Sequence, residues 1–191
     1  MTTERQEYKG CFVGIPLPEE FRQQFHDLLR TLREEIPEIN PSAHHPHITI
    51  YYLGERSVED LDLVETVVGQ YKDRLAGTEI KIGDFGFFDN QYPALFLAVC
   101  YPEELRELRE LLEKELFEEI LSKNLPFRPH LTIVEIKTPQ TLELLRQADA
   151  NVRKVLDGVE WKFPLTEVVI YGKNPSKDIG QERLKSVKVP Q

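Results

Sequence analysis

The feature that most limits what this chain can become is an internal repeat. Sliding the sequence against itself by 84 residues lays KGCFVGIPLPEEFRQQFHDLLRTLREEI (9–36) on PALFLAVCYPEELRELRELLEKELFEEI (93–120). Phe12 meets Phe96, Pro18-Glu19-Glu20 meets Pro102-Glu103-Glu104, and Arg22 meets Arg106. Leu28, Leu32 and Ile36 meet Leu112, Leu116 and Ile120. At an offset of 83, Pro46-His47-Ile48-Thr49-Ile50 falls on Pro129-His130-Leu131-Thr132-Ile133. Order, spacing and character match in two separate stretches, which marks a duplicated unit.

Both copies read alike. Residues 11–15 and 95–99 are short apolar runs, hence buried strands. Pro18 and Pro102 then sit at a first helical turn, where a missing N–H costs nothing and the glutamates beside them suit the helix dipole. Phe21, Phe25, Leu28, Leu32 and Ile36 recur at helical spacing, as do Leu105, Leu108, Leu112, Leu116 and Ile120. A proline-containing loop leads to β-branched strands at 47–53 and 130–136. Helical stretches near 58–75 and 139–156 follow, then strands near 79–88 and 162–171. A strand at 183–189 closes the second copy. The class is α+β: a bilobal duplicated unit with two antiparallel-type sheets and outer helices. Residues 1–191 form a single domain whose lobe-forming repeats are approximately 9–88 and 93–171.

Composition narrows the setting. A chain of 191 residues with 40% hydrophobic and 30% charged residues buries a core without metals or disulfides. The formal charge of −9 argues against broad binding to duplex DNA or a membrane surface, while leaving room for a local basic pocket. No apolar run has the length of a membrane span, and MTTERQEYKG lacks the apolar core of a signal peptide. Cys11 and Cys100 both lie in apolar runs and read as reduced core residues. The expected protein is a cytoplasmic monomer that requires no protein partner.

The chemistry sits in the repeated strands. Side chains alternate along a strand, so His47 and Thr49 share one face and Ile48 and Ile50 the other. His130 and Thr132 are set the same way against Leu131 and Ile133. Simple alternation puts Tyr51 on the His47 face, and Arg128 on the His130 face if the strand runs back through Pro129. Equivalent positions of a duplicated unit meet about a local two-fold axis, which predicts His47 and His130 on opposite sides of one groove. Imidazole titrates near pH 6.5, so one neutral and one protonated ring can work together on a phosphodiester. The neutral ring takes a proton from water and the charged ring gives one to the leaving oxygen. The threonine hydroxyls can donate to non-bridging phosphate oxygens. The expected direction has His47 as acid and His130 as base, without a metal or other cofactor. Chance supplies about a quarter of one His-x-Thr in a chain of this composition. A lone histidine is more often a strand cap; a pair matched within a repeat is another matter.

These motifs, 83 residues apart, resemble those of the 2H phosphoesterase superfamily. Phe12-Val13-Gly14-Ile15-Pro16-Leu17-Pro18-Glu19-Glu20 and the run His47 to Gly54 look like its 2′-5′ RNA ligase-like branch. The resemblance covers essentially the whole chain and implies both motifs in a central cleft. It implies metal-independent hydrolysis of a cyclic phosphodiester, commonly a nucleoside or RNA-terminal 2′,3′-cyclic phosphate yielding a 2′-phosphate. Some relatives join RNA ends through a 2′-5′ linkage, so 2′-5′ RNA ligase or 2′-5′ oligonucleotide phosphodiesterase is an alternative. A nucleotide sensor without turnover is another. Many members follow the second motif with arginine, where this chain has Glu135. Strand parity points Glu135 away from His130, and the lost positive charge favours a nucleotide or short RNA over a long one.

Other candidates weigh less. His44, His45 and His47 crowd one loop, but adjacent histidines diverge and no carboxylate is near, so zinc is not expected. His26 reads as a solvent-facing helical residue. Among Phe85, Phe87, Phe88, Tyr92 and Phe96, most read as core; Tyr92, beside Asn90 and Gln91, and Tyr51 are the better stacking candidates for a base. Arg128 is the best-placed phosphate ligand, and Lys173 and Lys177 read as solvated charges.

Overall fold

In the computed structural model, which describes residues 7–39, 45–88, 93–116, 127–176 and 180–191, apolar runs form strands and 3.6-residue patterns form helices. The order is β1 (Glu7–Pro16), α1 (Glu19–Glu35), β2 (His47–Ser57), α2 (Val58–Tyr71), a 3-10 turn (Lys72–Leu75), β3 (Glu79–Phe88) and β4 (Ala94–Cys100). Then come α3 (Glu103–Leu116), β5 (His130–Glu135), α4 (Pro139–Gln147), α5 (Asp149–Leu156), β6 (Trp161–Pro164), β7 (Glu167–Lys173) and β8 (Glu182–Lys188). Local chemistry explains the helix starts. In α2 the Ser57 hydroxyl accepts from the Asp60 N–H while the Asp60 carboxylate accepts from the Ser57 N–H. In α4 Thr138 caps and Pro139 takes the first helical position. Buried Phe25, Leu28, Leu29 and Leu32 give α1 one apolar stripe.

The eight strands form one antiparallel sheet in the order β6-β3-β4-β5-β2-β1-β7-β8. The two expected halves are present, but they join through β5 and β2 into a continuous sheet rather than standing as two. The order is symmetric about that junction. It also corrects the expectation that each repeat forms its own lobe. The first repeat's third strand, β3, pairs with β4 of the second, and β7 of the second pairs with β1 of the first. A hairpin explains half of this exchange: β3 and β4 are close in sequence and pair without a long crossover. Only Leu165 and Thr166 separate β6 from β7, yet these strands lie in opposite halves. The sheet must therefore curl until its ends approach. There the Leu165 N–H donates to Thr78 O at 2.8 Å and the Val189 N–H to Thr166 O at 2.9 Å.

The helices cover one face. Buried residues of α1, α2, α3 and α5 join Val13, Ile15, Ile48, Ile50, Leu97 and Leu131 in one continuous core. On the other face Phe12, Val169 and Tyr171 form a small separate cluster. Cys11 is in the core, and burial pushes its thiol up to about 11. Cys100 is not: it ends β4 one residue past buried Val99 and is exposed, so only one cysteine is a core residue. Among the described residues no helix is long and apolar enough to cross a membrane.

The junction between halves rests on Ile48 opposite Leu131, both fully buried. Leu131→Ala is expected to cost about 2–5 kcal/mol and Ile48→Val about 0.5–1.5 kcal/mol in urea unfolding, through lost transfer energy and a residual cavity.

Candidate active site

The junction that joins the halves also brings the two motifs together. With Ile48 opposite Leu131 in antiparallel strands, the register continued by one residue sets His47 beside Thr132 and Thr49 beside His130. The isoleucine and leucine point into the core, while all four polar residues are half-buried on the opposite face. The two motifs therefore meet on adjacent central strands of one sheet, on the face opposite the helices.

Both histidines are oriented by the same device. His47 Nδ1 donates to the carbonyl of His45, and His130 Nδ1 to the carbonyl of Arg128, each at 2.7 Å. A carbonyl only accepts, so Nδ1 carries the proton in the neutral ring and Nε2 is left with its lone pair. The intervening prolines fit this geometry, since a residue before proline is held extended. Each proline keeps its carbonyl in the ladder: Pro46 O accepts from Leu17 N–H and Pro129 O from Val99 N–H. Burial holds both imidazoles below the usual pH 6.5, opposed by the carbonyl hydrogen bond in each case. The charge of His130 lowers His47 further. The Glu135 carboxylate acts on His47 in the opposite sense.

Aromatic rings wall both histidines. Phe12 lies 4.4 Å from His47 and stacks on Tyr171 at 4.8 Å. Phe88 lies 4.8 Å and Phe96 5.6 Å from His130, and these two phenylalanines stack at 4.2 Å. The repeat sets Phe12 and Phe96 at matched positions, where their residue type reads as packing; their place beside the imidazoles is what the sequence reading misses. Gly86 makes room for this wall, since a Cβ there would fall 2.8 Å from the Phe96 ring.

Two expectations from simple alternation fail for one reason. Val13 pairs with Tyr51 and Gly14 with Thr49, so Ile50 is an extra residue and β2 has a bulge. The bulge reverses parity. Tyr51 joins the core at 1% exposure, its hydroxyl without a hydrogen-bond partner among the described residues. It is not on the His47 face. Tyr52 takes that place, half-exposed and opposite Phe12. The second motif repeats the irregularity, with Leu95 opposite Val134 and Phe96 opposite Thr132. Ile133 is the extra residue there, Val134 turns into the core, and Glu135 returns to the histidine face instead of pointing away. Lys137 lies 3.9 Å from its carboxylate.

The remaining candidates divide. Arg128 is exposed just before β5, with its carbonyl committed to His130. His45 is exposed and holds His47 through its carbonyl; His26 and Lys173 are exposed, as expected. Tyr92, His44 and Lys177 lie outside the described residues. Among the described residues no group of three or more His, Cys, Asp or Glu side chains could hold a metal ion.

Comparison with known proteins agrees with this architecture. The RNA 2′,3′-cyclic phosphodiesterase of Thermus thermophilus is 27% identical over 166 residues, covering 78% of this chain and 75% of that protein. The protein of the same name from Escherichia coli is 25% identical over 172 residues, covering 86% and 87%. The crystal structure of E. coli LigT with 3′-AMP shares the fold at a TM-score of 0.70 and 22% identity, over 96% of this chain and 99% of that one. The sequence model of the 2′-5′ RNA ligase superfamily matches residues 12–174, which include both His-x-Thr strands and the aromatic residues around them, and the chain belongs to that superfamily.

Proposed function

We propose that this protein is a metal-independent cyclic phosphodiesterase that opens a nucleoside or RNA-terminal 2′,3′-cyclic phosphate to a 2′-phosphate. One observation carries the reading. Two histidines on adjacent central strands each have Nδ1 tied to a carbonyl, which leaves two Nε2 atoms for one substrate. The names of the T. thermophilus and E. coli relatives support the substrate class.

His130 Nε2 takes a proton from water, whose oxygen forms the new bond to phosphorus. The bond from phosphorus to the 3′ oxygen breaks, and protonated His47 gives its Nε2 proton to that oxygen. Thr49 and Thr132 donate to the non-bridging oxygens, with Arg128 supplying positive charge at the rim. The direction, His47 as acid and His130 as base, is the one expected from the sequence. Glu135 is the least of the influences on His47 and the one charge that favours its imidazolium, and no carboxylate acts on His130 in that way. A carboxylate on the cleft face also disfavours a second phosphate nearby, so a mononucleotide or short RNA end suits the cleft better than a long chain. Both histidines come from one chain, which suits a monomer, and two free cysteines suit the cytoplasm.

The direct test incubates the protein with each of the four nucleoside 2′,3′-cyclic monophosphates in EDTA and identifies products by chromatography. A 2′-phosphate product is expected. His47→Ala and His130→Ala should each lose about 10²- to 10⁴-fold in turnover. A near-wild-type rate in either variant would end the two-histidine mechanism.

The pH profile is a second check. The acid histidine must be protonated and the base neutral, so kcat/KM is bell-shaped. Because burial lowers both rings, its optimum should fall below pH 6.5, with activity declining through neutrality. In Glu135→Gln the His47 imidazolium loses its anionic neighbour, so the alkaline limb should move to lower pH. Movement of the acid limb instead would exchange the two roles. Tyr51→Phe, by contrast, should retain turnover, since that hydroxyl lies in the core.

A further inference from the structure

The bulge in β2 leaves Ile50 outside the regular ladder, and its carbonyl is taken from the far side of the sheet. Arg109 Nη1, on α3, donates to Ile50 O at 2.9 Å. The same guanidinium lies 5.3 Å from the Tyr51 ring centroid and 4.1 Å from that of Phe127. Phe127 immediately precedes Arg128, whose carbonyl fixes the His130 ring. Tyr101 packs its ring edgewise on Phe127 at 5.1 Å and donates its hydroxyl proton to Leu105 O at 3.1 Å on α3. One cation thus touches the bulge that follows His47-Ile48-Thr49 and the segment that leads into His130.

We infer that Arg109 is a positioning residue that holds both histidine motifs in register from the helical side of the sheet. Its donor pins the β2 bulge, and its planar face pins the segment before β5. The repeat does not supply this by itself. Arg109 falls on Phe25 at the offset of 84, and Phe25 packs edgewise towards Trp161 instead. The contact is therefore a one-sided tie between two pseudo-symmetric halves. Arginine suits both tasks because the guanidinium edge donates while its face lies on a ring; lysine can do only the first well.

The inference rests on the phosphodiesterase reading for its kinetic arm only. The test compares Arg109→Met, Arg109→Lys and Phe127→Leu in two measurements: steady-state turnover of a 2′,3′-cyclic mononucleotide, and ¹⁵N spectra of the histidine rings without substrate. In Arg109→Met, kcat should fall about 10- to 100-fold with KM near wild type, and both rings should lose their dominant Nδ1–H tautomer. Arg109→Lys should restore the His47 tautomer more than that of His130, and Phe127→Leu should disturb His130 alone. If Arg109→Met does not fold, the other two variants carry the test. Unchanged tautomers in folded variants, or kcat losses that merely follow Tm, would overturn the inference. Tautomer changes in a protein without turnover would leave it standing and overturn the phosphodiesterase reading instead.

Discussion

The pairing of Ile48 with Leu131 is the contact on which the rest of the molecule hangs. It is narrow, yet it performs two tasks. On the helical side it seals the core where the two halves of the sheet meet. On the other side it fixes the spacing of two histidines and two threonines that lie far apart in sequence. Stability and chemistry are tied here because a strand has two faces: a slip of one residue would turn the imidazoles into the core and the aliphatic residues into the cleft.

The bulges after each motif refine that arrangement. Each places an aliphatic extra residue, Ile50 or Ile133, just past a threonine, and so begins a second alternation out of phase with the first. The motif proper keeps its polar residues on the cleft, and the residue three beyond each threonine returns to it. In one half that residue is Tyr52 and in the other Glu135. The two ends of the cleft are thus chemically unlike, an aromatic against a carboxylate, although the backbone that presents them is repeated. A duplicated scaffold can in this way give its two rings unlike surroundings, as the proposed reaction requires, since there one ring must hold a proton that the other lacks.

Much of this was legible beforehand. The offset of 84 located paired strands and helices, and Pro-His-x-Thr placed four side chains on a common face. Alternation failed at Tyr51 and Glu135 because a bulge is set by pairing across strands, which a sequence read one strand at a time does not contain. Assigning one repeat to one lobe failed for a related reason: pairing partners are chosen by three-dimensional closeness, and β3 lies one short connection from β4. Cys100 shows the limit at a smaller scale. Its apolar neighbours suggested burial, but the last residue of a strand takes whichever side parity gives it. Arg109 carried no signal, since an arginine among helical glutamates reads as a solvated charge until its tertiary contacts are seen.

The exchange of third strands has a consequence for how such a molecule could arise. A single repeat made alone would be parted from the strand that its third strand pairs with here, which belongs to the other copy. The natural completion is a second copy that offers its own first strand and receives the third in return, giving a strand-exchanged homodimer. Its two His-x-Thr strands would meet across a true two-fold axis, with one imidazole from each subunit. In that arrangement catalysis would depend on protein concentration and both rings would be identical. Fusing the copies removes the first constraint and frees the second, so each half can have its own neighbours, as the two halves here differ at Glu135 and Arg109.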